Sequence, residues 1–175
     1  MYLISIYFDN NSNQILQNYI NDVALVTDNK FMLDNNVPPH ITIGAFNTQN
    51  EAEAIEIFNL IAKDFTTGKI DWVTIGTFKQ SVIYTAPVLN EYLHNLCVKT
   101  YEKLQGKVGV VVDKKYMPFN WLPHATIGKT LSAEQCKMAY EILSEKFSVF
   151  QSEVVKIGVE NRKSNCNLEG FAIYK

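Results

Sequence analysis

Apolar and polar residues alternate with a period of two along residues 2–8. Tyr2, Ile4, Ile6 and Phe8 share one face; Leu3, Ser5 and Tyr7 share the other. That alternation predicts a strand. Asp9-Asn10-Asn11-Ser12 is turn and cap chemistry, and Ile15, Leu16, Tyr19, Ile20 and Val23 then recur at helical spacing, so a helix follows over about 13–24. Residues 26–39 read as a polar loop ending in Pro38-Pro39, and a strand runs from 40 to about 46. Thr48 with Glu51 matches a capping box opening a second helix to about residue 64, striped by Ile55, Phe58, Ile61, Ala62 and Phe65. Trp72–Phe78 and Val82–Ala86 flank a short connection and predict a hairpin.

The pattern then begins again. Asn90 caps a helix carrying Leu93, Leu96, Cys97, Thr100, Tyr101 and Leu104. A loop of Gly, Lys and aromatic residues spans 105–121, with a short strand at 108–112, and a further strand occupies 123–129. Ser132 with Gln135 is another capping box, opening a helix to about 147. Strands near 153–160 and 168–174, joined by a polar turn at 162–165, finish the chain. The order strand, helix, strand, helix, strand thus occurs twice, with one extra terminal strand. The expected fold is α+β: a duplicated two-lobe β-α-β-α-β arrangement with pseudo-two-fold symmetry and a central cleft between mostly antiparallel sheets. Residues 1–175 form a single domain, with lobes of about 1–80 and 81–175.

The corresponding third elements are nearly identical. Pro39-His40-Ile41-Thr42-Ile43-Gly44 and Pro123-His124-Ala125-Thr126-Ile127-Gly128 agree at five of six positions, and they hold two of the three histidines. In a strand, residues i and i+2 share a face. Each copy therefore offers an imidazole and a hydroxyl side by side, with Ile41 and Ile43, or Ala125 and Ile127, turned into a core. Either pair alone reads as polar strand packing; the recurrence of one frame at the same place in each half argues for a shared site.

Composition narrows the chemistry. Hydrophobic residues make up 47% and charged residues 19%, as in an ordinary globular protein, and the formal charge of −2 lacks the basic excess of a protein that tracks long nucleic acid. Cys97, Cys136 and Cys166 are odd in number and make no CxxC pair, which suits reduced thiols in the cytoplasm. The N-terminus lacks signal-peptide character, and no apolar run approaches the ~18 residues of a membrane span. Two histidines without a third ligand in evident spacing make a poor zinc site, so no metal or cofactor is expected.

Two convergent imidazoles suit a reaction in which one proton is removed and another delivered. An unperturbed imidazole titrates near pH 6.5, so at neutral pH one can be neutral while the other is protonated. Cleavage of a phosphodiester by water or a ribose hydroxyl needs both transfers, and two threonine hydroxyls can donate to the non-bridging oxygens of the transition state.

The twin His-x-Thr-hydrophobic motifs, half a chain apart, resemble the two-histidine (2H) phosphoesterase superfamily. The similar branch is the bacterial 2′-5′ RNA ligase-like group, whose members act as RNA 2′,3′-cyclic phosphodiesterases. The resemblance covers nearly the whole chain. It implies that His40 and His124 are the catalytic pair, with His124 as base and His40 as acid, and that Thr42 and Thr126 hold phosphate. In that group a basic residue, commonly Arg, closely follows the second motif; here the place holds Lys129, and the only arginine is Arg162. Lys129 is therefore a candidate for binding the substrate, although strict alternation puts it on the face opposite His124 unless the strand ends or bulges.

Other residues are candidates for the substrate. Phe119 and Trp121 lie in the aromatic loop entering the second motif, and Phe46 shares the face of His40 and Thr42. All three are stacking candidates, against the alternative that Phe119 or Trp121 plugs the interface between lobes. Tyr7 and Tyr84, on corresponding strands, are placed to line the cleft floor. The doublet Lys114-Lys115 reads as solvated loop and His94 as surface.

Three functions fit. The first is a metal-independent hydrolase acting on 2′,3′-cyclic phosphate ends of RNA or on nucleotides. The second is a 2H phosphodiesterase cleaving 2′-5′ or 3′-5′ linkages in linear or cyclic oligonucleotides. The third is a nucleotide- or RNA-end-binding module without turnover. The expected partner is a nucleotide or short oligonucleotide, with no long duplex and no membrane, and the expected state is a monomer.

Overall fold

A computed structural model describes residues 1–162 and 168–174, with side chains described through Asn161. The turn expected at 162–165 falls largely outside the described residues, as does Cys166. The chain runs β1 (Tyr2–Phe8), α1 (Asn10–Thr27), α2 (Phe31–Asp34), β2 (Ile41–Asn47), α3 (Glu51–Ala62), β3 (Gly68–Phe78), β4 (Val82–Pro87), α4 (Glu91–Leu104), β5 (Val111–Val112), β6 (Ala125–Lys129), α5 (Ala133–Lys146), β7 (Phe150–Arg162) and β8 (Leu168–Tyr174). A 3-10 turn at Lys114–Tyr116 precedes β6.

The helices begin where the side chains can cap them. Asp9 accepts from the Ser12 amide, Asn90 from that of Leu93, and Ser132 with Gln135 makes the full reciprocal box. The expected box at Thr48 and Glu51 is corrected. Asn50 caps α3 by accepting from the amides of Ala52 and Glu53, while Thr48 bonds the Glu53 carboxylate. The Thr-x-x-Glu match was two residues out of register with the helix start. The expected polar loop at 26–39 contains α2, a single turn whose Met32 is buried.

All the strand pairs are antiparallel, and they form one sheet rather than two facing sheets. Seven strands follow the order β5-β2-β1-β7-β3-β4-β6, and β8 pairs with β7. The joint is β7. Its residues 154–161 pair with β1, while 150–154 pair with β3, so Val154 faces both Phe8 and Gly68. Both motif strands thus belong to one hydrogen-bonded unit.

The core lies on the face of Ile4, Ile6 and Phe8, with Ile41, Ile43, Ile83, Ala125 and Ile127 all buried. The helices are exchanged in their packing. α4, from the second half, packs on β2, and α1, from the first half, packs on β6. Gly44 approaches Thr100 and Leu104 of α4, and Gly128 approaches Val23 of α1. Each motif strand is backed by the other half's helix, which leaves its His/Thr face free.

Candidate active site

The two motif strands carry the same irregularity. In the β1–β2 ladder, Ile4 pairs with Gly44 and Ser5 with Thr42, so Ile43 has no partner. In the β4–β6 ladder, Ile83 pairs with Gly128 and Tyr84 with Thr126, so Ile127 has none. Each is a bulge one residue after the motif threonine. The bulge resets the alternation. Lys129 comes to lie opposite Val82, on the same face as Tyr84 and Thr126, and both Val82 and Lys129 line the cleft. The extra residue is what brings Lys129 to the side of His124; the corresponding position in the first copy is the buried Ala45.

His40, Thr42, His124 and Thr126 line one cavity of about 380 Å³, with Leu3, Phe31, Met32, Val37, Phe78, Val82, Lys115, Tyr116 and Lys129. The histidines are held alike. His40 Nδ1 lies 2.8 Å from the Pro38 carbonyl oxygen, and His124 Nδ1 lies 2.9 Å from that of Leu122. A carbonyl only accepts, so each Nδ1 carries the proton and donates, leaving Nε2 for chemistry. His124 is the more enclosed. Phe78 meets it edge-on at 4.8 Å and Tyr84 at 5.3 Å, while Phe78 and Tyr84 stack on each other at 4.3 Å. Burial, and then the nearby His40, hold the His124 imidazolium below its ordinary pKa, against the raising effect of the Leu122 carbonyl.

The threonines are fixed differently. Thr42 is 8% exposed, its hydroxyl is 3.4 Å from that of Ser5, and its carbonyl accepts from the Trp121 indole N–H at 2.9 Å. Thr126 is partly exposed beside Lys129, whose ammonium stands 5.6 Å from the centre of the Phe31 ring.

The other candidates separate. Tyr84 walls His124, and Lys129 is in the cavity. Trp121 is 8% exposed and ties the aromatic loop to β2; it takes the plug role, with one edge on an adjoining groove. Phe46 is fully buried against Tyr2, with ring centres 5.5 Å apart, so it offers no surface to a base. Phe119 is 94% exposed, packs on His94 at 5.1 Å and is not in the cleft. Tyr7 stands 6.3 Å from the His40 ring but belongs to a neighbouring cavity, its hydroxyl bonded to Glu160.

Among the cavity residues not anticipated are Phe31, Phe78, Tyr116 and Lys115. Lys115 was read as solvated loop, yet it lines the cavity because β5 pairs with β2 and the Asp113 amide donates to Ala45. The doublet with aromatics on its far side was the available signal. Cys97 and Cys136 are free and buried, and burial pushes the Cys97 thiol up to about 11.

A match to the 2′-5′ RNA ligase superfamily runs over residues 15–165. The chain belongs to that superfamily, among the two-histidine phosphoesterases. Among solved structures it is similar to Usb1 of Kluyveromyces marxianus, at 13% identity over 97% of this chain and 96% of that one, with a TM-score of 0.42. No curated protein matches. No helix among the described residues is long and apolar enough to cross a membrane.

Proposed function

We propose that this superfamily member is a phosphodiesterase that opens 2′,3′-cyclic phosphates at RNA ends or on nucleotides, without a metal, leaving a 2′-phosphate. The observation that carries the reading is that both imidazoles and both motif threonines line a single cavity. With Nδ1 of each ring bound to a carbonyl, neutral His124 takes a proton from water at Nε2 as the water oxygen bonds to phosphorus. Protonated His40 gives its Nε2 proton to the ribose 3′-oxygen as the P–O3′ bond breaks. Thr42, Thr126 and Lys129 receive the negative charge on the non-bridging oxygens. Turnover ends with the two rings in exchanged protonation states, which solvent resets. The lowered His124 pKa supports its role as base. The repeated bulge and register support descent of the halves from one duplicated unit.

A second reading is cleavage of 2′-5′ or 3′-5′ linkages, with a neighbouring ribose hydroxyl in place of water. It is favoured by a groove of about 360 Å³ that continues past His124 along Phe78, Lys115, Tyr116, Asn120, Trp121 and Leu122, with room for a second nucleoside. The experiment is a panel of 2′,3′-cyclic nucleotides, cyclic-phosphate-ended RNA, 2′-5′ oligoadenylate and cyclic oligonucleotides, with the product phosphate positions identified. Turnover of the cyclic ends in EDTA is expected. Binding without turnover refutes the enzymatic reading, and activity lost to EDTA and restored by zinc refutes the metal-free mechanism.

A further inference from the structure

Beside the reaction cleft lies a second cavity of about 400 Å³, lined by Tyr7, Asn10, Asn13, Asn36, Pro38, Pro39, Lys156 and Glu160 among others. It touches the site at two points. The Tyr7 ring is 6.3 Å from that of His40, and Pro38, in its wall, supplies the carbonyl that orients His40. The register makes the floor continuous. On β1 and β7, Leu3 pairs with Glu160, Ser5 with Gly158 and Tyr7 with Lys156, so these six residues share the face that carries Leu3 into the cleft and Ser5 onto Thr42.

Glu160 is the unexplained residue there. It is 5% exposed; one carboxylate oxygen accepts from the Tyr7 hydroxyl, and the other, Oε2, has no hydrogen-bond partner among the described residues. Lys156 forms no ion pair with it among those residues. Burying an acceptor without a partner is unfavourable, so such a group calls for a reason. Burial, and then the Glu160 charge, also keep the Tyr7 phenol protonated, so Tyr7 donates and brings no second negative charge.

We propose that this cavity is a base-selective subsite that takes guanine, with Glu160 reading its Watson–Crick edge. The inference rests on the phosphodiesterase reading for the placement of the phosphate between the histidines. An ionised carboxylate only accepts, and two adjacent N–H donors match its two oxygens. Guanine presents such a pair, N1–H and an N2 hydrogen. Adenine and cytosine set one amino group beside an acceptor, and uracil sets one N–H between two carbonyls. Oε2 is closed to solvent, so a turn of the carboxylate accompanies entry of the base. Pro38 and Pro39 supply apolar wall.

The test is equilibrium binding of the 2′-monophosphates of guanosine, inosine, adenosine, cytidine and uridine to the intact chain. Guanosine is expected to bind about tenfold or more tighter than adenosine, with inosine, which lacks the 2-amino group, in between. Glu160→Gln, checked for folding by thermal melting, is expected to bring guanosine and adenosine within about threefold; Glu160→Asp, which withdraws the carboxylate by one carbon, reports the same loss if Gln does not fold. Equal binding of all five, or a guanosine preference that survives both substitutions, overturns the subsite. Turnover of 2′,3′-cyclic nucleotides by the same preparation judges the catalytic reading separately, because base preference in binding does not require cleavage.

Discussion

The exchanged helix packing can be tested at a single contact. A Cβ added to Gly44 would stand 2.6 Å from Thr100 Cγ2, 3.5 Å from Leu104 Cδ1 and 3.9 Å from Ile4 Cβ. Thr100 is 1% exposed and Leu104 likewise, so neither has empty space to move into. Gly44 needs no left-handed backbone, so alanine meets a packing obstacle only. Overpacking of this kind costs about 1–3 kcal/mol, offset by about 0.4–1 kcal/mol from a less flexible unfolded chain. Gly44→Ala should therefore destabilise by about 1–2 kcal/mol. Thr100→Ser removes the obstructing methyl and alone should cost about 1 kcal/mol. Together the two changes place the new methyl where the old one was. The double variant should lose about 1 kcal/mol rather than the sum, a coupling of at least about 1 kcal/mol. Urea unfolding with an unchanged m-value measures all four corners of the cycle. Losses that add to within about 0.5 kcal/mol would refute the claim that α4 of one half holds the motif strand of the other. Gly128→Ala, whose nearest atoms would be Val23 Cγ1 at 3.0 Å and Ile83 Cγ2 at 3.1 Å, should cost less.

Other expectations follow from the site. His40→Ala and His124→Ala should each lower turnover by about 10²–10⁴-fold with the melting temperature little changed; a fully active variant removes that ring from the mechanism. The acidic limb of kcat/KM, where the base is lost to protonation, should have its midpoint below the ordinary imidazole value near 6.5, because enclosure lowers the His124 pKa. Gly76→Ala, whose Cβ would stand 2.6 Å from the Tyr84 ring and hydroxyl, should push that ring off His124 and raise the limb; no shift would deny Tyr84 its screening role. Stability should respond in the matching sense. The folded His124 pKa is below the unfolded one, so below about pH 6.5 the unfolded chain takes up a proton that the folded chain resists, and the contribution is lost as pH falls through the folded value. His124→Phe should flatten that loss in urea titrations between about pH 7 and 5. Trp121→Phe deletes the indole donor to the Thr42 carbonyl and should cost about 1 kcal/mol along with a fall in turnover. A fall in stability alone would make Trp121 purely structural.

Much of this was legible in the sequence because it is local. Period-two alternation located β1, helical stripes located α1, α4 and α5, and the two capping residues Asn90 and Ser132 marked helix starts to the residue. The repeated hexapeptide brought out the four side chains that share the cleft. What escaped depends on partners remote in the chain. Lys129 could be named from its place after the motif, but its side of the strand could not, because a bulge is a relation between β4 and β6 that neither strand displays alone. Phe46 obeyed the alternation rule from His40 and Thr42, but the bulge at Ile43 lies between them and turned it into the core. The pairing of Tyr7 with Glu160 spans nearly the whole chain and has no signature in either segment. α2 is too short for any period to emerge.

The joint in β7 separates responsibility for the chemistry from responsibility for its dimensions. Neither motif strand pairs with β7, where one pairing scheme hands over to the other at Val154. The span between the two imidazoles is therefore set in part, like the opening of a pair of callipers, at a pivot remote from the tips, alongside the tie from the Trp121 indole to Thr42. Small side-chain changes around Val154 would open or narrow the gap while leaving every reacting group intact. A chain built this way can be refitted to a bulkier or slimmer phosphate ester without altering either hexapeptide.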